Sequence, residues 1–149
     1  MTSTKGESGR VFIDTNILVY LFDASAPAKQ SRARDLLEDL GTSSRAILST
    51  QVLQEFYVSV TRKLATPLAE DKAQAAVEAL CQLEVVAVDP SLVLRAIAVS
   101  RRHKISFWDA LVVATAKAAE CRTVLSEDLG HGSEIAGVTI ENPFPRSPA

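Results

Sequence analysis

The sequence predicts an α/β domain in three layers, with a central, mostly parallel sheet of about five strands flanked by helices. Three observations carry that prediction. Short apolar runs of β-type residues recur along the chain, helical patterns separate each run from the next, and this alternation is what a parallel sheet covered on both faces requires. Arg10-Val11-Phe12-Ile13 is the first strand, followed at once by Asp14-Thr15-Asn16 and the apolar Ile17-Leu18-Val19-Tyr20-Leu21-Phe22. Ala33, Leu36, Leu37 and Leu40 fall at i, i+3, i+4 and i+7, one face of a helix that Gly41 is expected to stop. Ala46-Ile47-Leu48 is the second strand. Ser49 or Thr50 caps the helix after it, whose buried face is Val52, Phe56, Val60 and Leu64. Leu68 to Leu80 reads as a helix with Ala69, Ala73, Ala76, Val77 and Leu80 on one side, and Glu84 to Val88 as the third strand. Pro90 opens a helix that reaches about His103. Ser106 to Cys121 is an alanine-rich helix, Thr123-Val124-Leu125 the fourth strand and Val138-Thr139-Ile140 the fifth.

The 149 residues make one domain, read as 10–144, between a polar N-terminal tail at 1–9 and a C-terminal tail at 145–149. With 47% hydrophobic and 23% charged residues the composition is that of a soluble globular protein. A chain of this length buries roughly 70% of its unfolded surface and needs no disulfide or metal to fold. Cys81 and Cys121 have no CxxC spacing, which excludes a disulfide framework and a structural zinc site and suits a reducing cytoplasm. The longest apolar charge-free run, Ala110 to Ala116, is far short of the roughly 18 residues that cross a membrane. Met1 to Gly9 carries no signal-peptide core. Sixteen basic against eighteen acidic residues give a net charge of −2. Setting aside the four acids discussed next leaves a small positive balance, so net charge neither supports nor excludes a nucleic-acid partner.

Ligands of open α/β sheets bind outside the carboxyl ends of the strands. Asp14 directly follows the first strand, and Asp128 follows the fourth by three residues in Ser126-Glu127-Asp128. Asp109 lies in the first turn of the helix feeding that fourth strand, and Glu55 within the first two turns of the helix after the second strand. Each has a plain structural account. Asp14 can cap a helix at about 1 kcal/mol, Ser106-Phe107-Trp108-Asp109 reads as a capping box, Asp128 suits a turn before Gly130, and Glu55 suits a solvated helix face. None of these accounts explains why all four face one edge. Two carboxylates about 4 Å apart repel by roughly 4 kcal/mol at an effective dielectric near 20, so such a cluster protonates or binds a cation. An all-oxygen set suits Mg²⁺ or Mn²⁺, and the chemistry that follows is phosphodiester hydrolysis. Thr15, Asn16 and Ser126 are the polar neighbours that would orient the carboxylates.

These residues resemble the PIN-domain ribonucleases, and more narrowly the VapC-type toxins of bacterial toxin–antitoxin pairs. The likeness spans about Val11 to Phe144. It rests on Phe12-Ile13-Asp14-Thr15-Asn16-Ile17-Leu18-Val19-Tyr20, on Leu48-Ser49-Thr50-Gln51-Val52-Leu53-Gln54-Glu55-Phe56-Tyr57, on Ser106-Phe107-Trp108-Asp109-Ala110-Leu111, on Leu125-Ser126-Glu127-Asp128-Leu129 and on Asn142-Pro143-Phe144. The resemblance implies a Mg²⁺- or Mn²⁺-dependent endoribonuclease, a homodimer in the cytoplasm, held inactive by a cognate VapB-type antitoxin. It maps the family's acidic quartet onto Asp14, Glu55, Asp109 and Asp128, and its hydroxyl and amide helpers onto Thr15, Asn16 and Ser126. Glu127 is the alternative fourth acid; Asp128 is preferred because Ser126 then lies two residues before it.

Arg101-Arg102-His103-Lys104 is the basic cluster. It reads as a solvated helix end, with Arg101, Arg102 and Lys104 also candidates for RNA phosphate contact. Trp108 is expected to lie buried beneath the site, with stacking on a base as the alternative. His103 and His131 lack a partner spacing for a metal or a triad. Tyr20, Leu21 and Phe22 are too apolar for full exposure and belong to the core or to a protein interface. An aspartyl-phosphate enzyme is the rival catalytic reading, but Asn16 stands where the phosphatase type needs a second Asp, and nothing supplies the receiver type's lysine. The rival from another class is a PIN-like scaffold that binds RNA or protein without cutting.

Overall fold

A computed structural model describes residues 9–144; the rest of the N-terminal tail expected at 1–9, and all of the C-terminal tail expected at 145–149, lie outside the described residues. Five strands run parallel: β1 (Val11–Ile13), β2 (Ala46–Ser49), β3 (Glu84–Val86), β4 (Thr123–Leu125) and β6 (Val138–Glu141). A sixth, β5 (Glu134–Ile135), pairs antiparallel with β6. The sheet order is β3-β2-β1-β4-β6-β5. The chain therefore winds outward from β1 in one direction and, after β3, crosses back to wind outward from β4 in the other. The β1–β4 boundary is the topological switch point, where α/β sheets leave a crevice at the strand ends.

Around the sheet lie α1 (Thr15–Val19), which runs on as a 3₁₀ turn over Tyr20–Phe22, α2 (Pro27–Thr42), α3 (Thr50–Arg62), α4 (Glu70–Leu80), α5 (Pro90–His103) and α6 (Phe107–Ala118). Phe12, Ile13, Ile47, Leu48 and Val124 on the strands and Val52, Phe56 and Val60 on α3 are fully buried in the main core. Helix α6 is hydrophobic all round because it lies between two layers. Its Val112, Val113 and Ala116 join the main core, while Ala110, Leu111 and Ala114 pack with Leu92 and Ala96 of α5 in a smaller one. Helix ends are set by side-chain caps: Ser49 accepts from Val52 N, Asp89 from Leu92 N and Ser106 from Asp109 N. Among the described residues, no helix is long and apolar enough to cross a membrane.

Several boundaries differ from the sequence expectation, each for a physical reason. Gly41 does not stop α2, which runs on to Thr42. The turn that ends it places Ser44 at φ 58°, and Pro27 starts it in the first-turn position proline favours. Strand β3 ends at Val86 because the Val88 N–H donates to Thr50 Oγ1 at the start of α3 instead of to the sheet. Helix α4 starts at Glu70 because Ala69 before it is extended (ψ 151°), while the Leu68 N–H ties this approach to the Val60 carbonyl. The hairpin joining β5 to β6 turns through Ala136 (φ 52°) and Gly137 (φ 85°), two consecutive left-handed residues that match the right-handed twist of the strands.

Candidate active site

Register alone brings two distant segments together. Ile13 pairs with Leu125 in the β1–β4 ladder, so the residues that follow, Asp14 and Ser126, leave the sheet side by side. Asp14 N donates to the Leu125 carbonyl (3.0 Å). Its Oδ1 accepts from Thr15 N (2.8 Å), capping α1, and its Oδ2 accepts from Ser126 Oγ (2.8 Å) and, more weakly, from Asn16 Nδ2 (3.4 Å). The side chain is nearly out of solvent, and burial pushes its carboxyl up to about 6. The Ser126 and Thr15 hydrogen bonds pull the other way, while Glu55 and Asp128 add repulsion.

Glu55 reaches the same place from α3. Its Oε1 accepts from Thr15 Oγ1 (2.8 Å) and its Oε2 from Gln51 Nε2 (3.1 Å), one helical turn earlier. Gln51 Nε2 also donates to the Trp108 carbonyl (3.2 Å), tying α3 to the start of α6. Asp109 lies in that first turn. Ser106 Oγ accepts from its N–H (3.1 Å), but its carboxylate takes no hydrogen bond among the described residues, so only the hydroxyl half of the expected capping box forms. Asp128 is exposed, with its N–H on Ser126 Oγ (3.1 Å) and its Oδ2 accepting from Asn16 Nδ2 (3.0 Å). Asn16 Oδ1 accepts from Glu127 N (3.1 Å), so a single amide latches this loop to α1. Glu127 turns elsewhere, accepting from Tyr20 Oη (2.7 Å) and forming an ion pair with Lys29. Tyr20 in turn meets Phe144 edge to face, and Phe22 meets Phe56 in the same way.

Asp14, Glu55, Asp109 and Asp128 all line one cavity of about 790 Å³, together with Thr15 and Asn16. Ser126 lies fully buried behind it. One face of α3, carrying Gln51, Glu55, Val58 and Ser59, makes a wall. Lys63 is the one basic residue among the described lining, against six acids once Asp23 and Glu127 are included. Among the described residues, no three Asp, Glu, His or Cys side chains approach closely enough to enclose a metal ion. The basic cluster sits apart. Arg102 and His103 line a second depression with Glu134, Ala136 and Gly137, and it shares no residue with the acidic cavity.

Trp108 overturns its expectation. It is not buried beneath the site but 60% exposed, and it lines the cavity. The first turn of α6 carries it beyond the core that buries Val112, one turn further along the same stripe. Sequence reasoning also passed over Gln51, Lys29 and Lys63. Gln51 was findable as the i−4 neighbour of Glu55 on an acid-bearing helix face, whereas the Lys29–Glu127 pair spans 98 residues and left no local signal.

A gathering of carboxylates at a sheet's switch point, one of them buried and reluctant to ionise, can hold a hard cation against a phosphate. Comparison with known proteins agrees with that frame. The PIN domain model matches residues 11–132. Comparison with curated protein sequences returns no match. Among solved structures, a Mycobacterium tuberculosis VapC toxin that cleaves the sarcin–ricin loop is 22% identical with a TM-score of 0.62, over 79% of this chain and 89% of the toxin. A toxin–antitoxin complex from Klebsiella pneumoniae gives 20% identity and 0.68, over 90% and 98%. The DNA-bound VapBC complex from Salmonella typhimurium gives 19% and 0.66, over 91% and 98%. Since the family model spans both central strands and every acid of the cavity, the chain belongs to the PIN-domain family, and its fold is close to that of VapC-type toxins.

Proposed function

We propose that this PIN-domain protein is a Mg²⁺- or Mn²⁺-dependent endoribonuclease that acts as a cytoplasmic toxin and is restrained by a cognate VapB-type antitoxin. The observation that carries the reading is the placement of Asp14, Glu55, Asp109 and Asp128, from four separate stretches of chain, in the wall of one cavity. The donor set fits a small hard cation. It is all oxygen, and its buried member is held near pH 6 by desolvation and by its acidic neighbours. Mg²⁺ needs no cage of three protein ligands, since it keeps several waters and is commonly held through one or two carboxylates. When bound, the ion would supply charge neutralisation for the phosphate and a lowered pKa for its water. Asp14 and Asp109 would hold it directly, with Glu55 and Asp128 as the other candidate ligands. Thr15 and Gln51 orient Glu55, Ser126 orients Asp14, and Asn16 orients Asp128.

Relatives that were solved as toxin–antitoxin complexes support an antitoxin partner. The test needs no guess at the substrate. The protein is expressed without antitoxin in a bacterial host beside the Asp109→Asn variant, and new RNA 5′ ends are mapped. Growth arrest with discrete new ends in the wild type alone is the expected result. A well-expressed wild type that yields no ends in the host, and cuts no RNA from its source when purified with Mn²⁺, would leave the non-cleaving scaffold as the reading.

We propose that a homodimer would form through an apolar strip on α5. Leu94 is 68% exposed on α5, with Val93 and Ile97 beside it, an apolar strip on a helix that otherwise covers α6. Leu94→Glu is expected to turn a dimer into a monomer in sedimentation, with thermal stability of the monomer unit changed by no more than about 0.5 kcal/mol. A variant that still sediments as the wild-type species would move the interface elsewhere.

A further inference from the structure

We propose that Trp108 is a stacking platform for an unpaired nucleobase, next to the phosphate that the acidic cavity addresses; the inference rests on the ribonuclease reading and gives it a nucleotide-binding subsite. A tryptophan is rarely left in water without a role, because its ring is the largest apolar surface of any side chain. Here the ring is 60% exposed and lines the cavity, and its chain neighbour is Asp109. It is also held. Phe107 packs on the Leu92–Leu111 core and meets the indole edge to face, with centroids 5.0 Å apart and planes at 82°. Gln51 fixes the backbone beneath it by donating to the Trp108 carbonyl while also donating to Glu55. Both acceptors demand the amide nitrogen, which settles the orientation of that side chain and leaves its buried Oε1 unpaired among the described residues. One amide thus sets the distance between the platform and an acid of the quartet.

A flat apolar ring beside a carboxylate site is an arrangement suited to a nucleotide. A phosphate at the acids carries its base into the space beside them, and stacking on an indole is tolerant of base identity. Lys63, elsewhere in the same lining, offers a cation to a neighbouring phosphate. Duplex RNA keeps its bases stacked on each other, so the platform selects single-stranded or looped RNA.

Trp108 is the only tryptophan in the sequence, so intrinsic fluorescence reads this one ring. The wild-type protein, with Ca²⁺ in place of Mg²⁺ to hold back cleavage, is titrated with a mixed-sequence single-stranded RNA octamer and with a ribose-phosphate octamer that lacks bases. Affinity is followed separately by anisotropy of end-labelled oligomer. The expected result is quenching by the base-bearing octamer alone. Trp108→Ala then weakens its binding by roughly 5- to 150-fold, the worth of one base–aromatic stack, while Trp108→Phe keeps most of it. Equal quenching by the baseless oligomer overturns the proposal. So does a folded Trp108→Ala variant that binds RNA as tightly as its parent, including one that instead loses self-association, which would make Trp108 a protein contact. If wild type creates new RNA ends in cells but the octamer leaves the fluorescence unmoved, the platform alone is overturned. If wild type creates no ends and no RNA binds, the ribonuclease reading has failed with it.

Discussion

Asp109→Asn is expected to lower the rate of RNA cleavage by about three orders of magnitude while leaving thermal stability within about 0.5 kcal/mol of wild type. Both halves follow from its surroundings. The carboxylate takes no hydrogen bond among the described residues and is only partly buried, so no structural bond is lost with its charge. Its place in the first turn of α6 favours a negative charge modestly through the helix dipole, and the other acids of the cavity oppose it, so the two effects offset. Ser126→Ala should behave differently. It removes the donor to Asp14 and the acceptor for Asp128 N, so it should cost activity by about 10- to 100-fold, as the loss of a ligand's supporting partner does, and stability as well. Single-turnover cleavage of the mapped substrate, beside thermal unfolding of each variant, separates the two roles. An Asp109→Asn protein that cuts at more than a tenth of the wild-type rate would remove this residue from the quartet.

Asp14→Asn should abolish cleavage and yet make the metal-free protein more stable. The carboxyl stands at about 6 in the fold against an ordinary value of 3.8, chiefly because it is desolvated. Between those values the native state holds a proton that the unfolded chain has lost. The stability linked to this group is therefore complete below about pH 4 and is lost as pH rises through 6. At 1.36 kcal/mol per pH unit the loss is about 3 kcal/mol by pH 7.5. Asparagine keeps the shape without the charge but crowds donors onto Ser126 Oγ, so a gain of about 2 kcal/mol is expected, roughly 4–8 °C in Tm. Thermal unfolding in chelator at pH 4, 5.5 and 7.5 tests this. The variant's advantage should be absent at the first pH and full at the last. Added Mg²⁺ should raise the wild-type Tm and leave that of the variant in place. A variant less stable than wild type at pH 7.5 would mean that the buried charge is already compensated.

Much of this was legible in the residues, and the rest was hidden for identifiable reasons. The five parallel strands, the switch-point acids and their hydroxyl and amide neighbours are local signals, because strand ends and helix starts leave marks within a few residues of each functional group. Asp14 after β1 and Asp128 after β4 could thus be placed on one edge before any contact was known. What escaped depends on partners far away in the chain or on where the packing stops. Glu127 and Asp128 are adjacent acids in sequence, and only contacts from distant residues, Lys29 and Tyr20 on Glu127 and Asn16 on Asp128, separate their surroundings. Trp108 follows Phe107 at the head of an apolar run and reads as core, yet the core ends one turn short of it. Strand β5 has two residues, one of them an exposed glutamate, too short for any periodicity. Gly41 looked like a stop, but its position asks for no left-handed backbone and a Cβ there would meet only Leu83 at 3.8 Å, so the helix passes through it.

The hydrogen bond from Ser126 to Asp14 joins residues 112 positions apart, and β1 lies between β2 and β4 in the finished sheet. During synthesis the first acid is made almost at once and the partners that hold it almost last. Until β4 has emerged and docked, Asp14 stays hydrated at the edge of a half-built sheet, Asn16 has no loop to latch and the cavity lacks one of its sides. The complete cavity is therefore withheld from the nascent chain by topology alone, and it is closed in a single late step. Once formed, the β1–β4 seam is the central pair of the sheet, with Phe12, Ile13 and Val124 fully buried, so it should open only with the domain as a whole and the finished cavity should last as long as the fold.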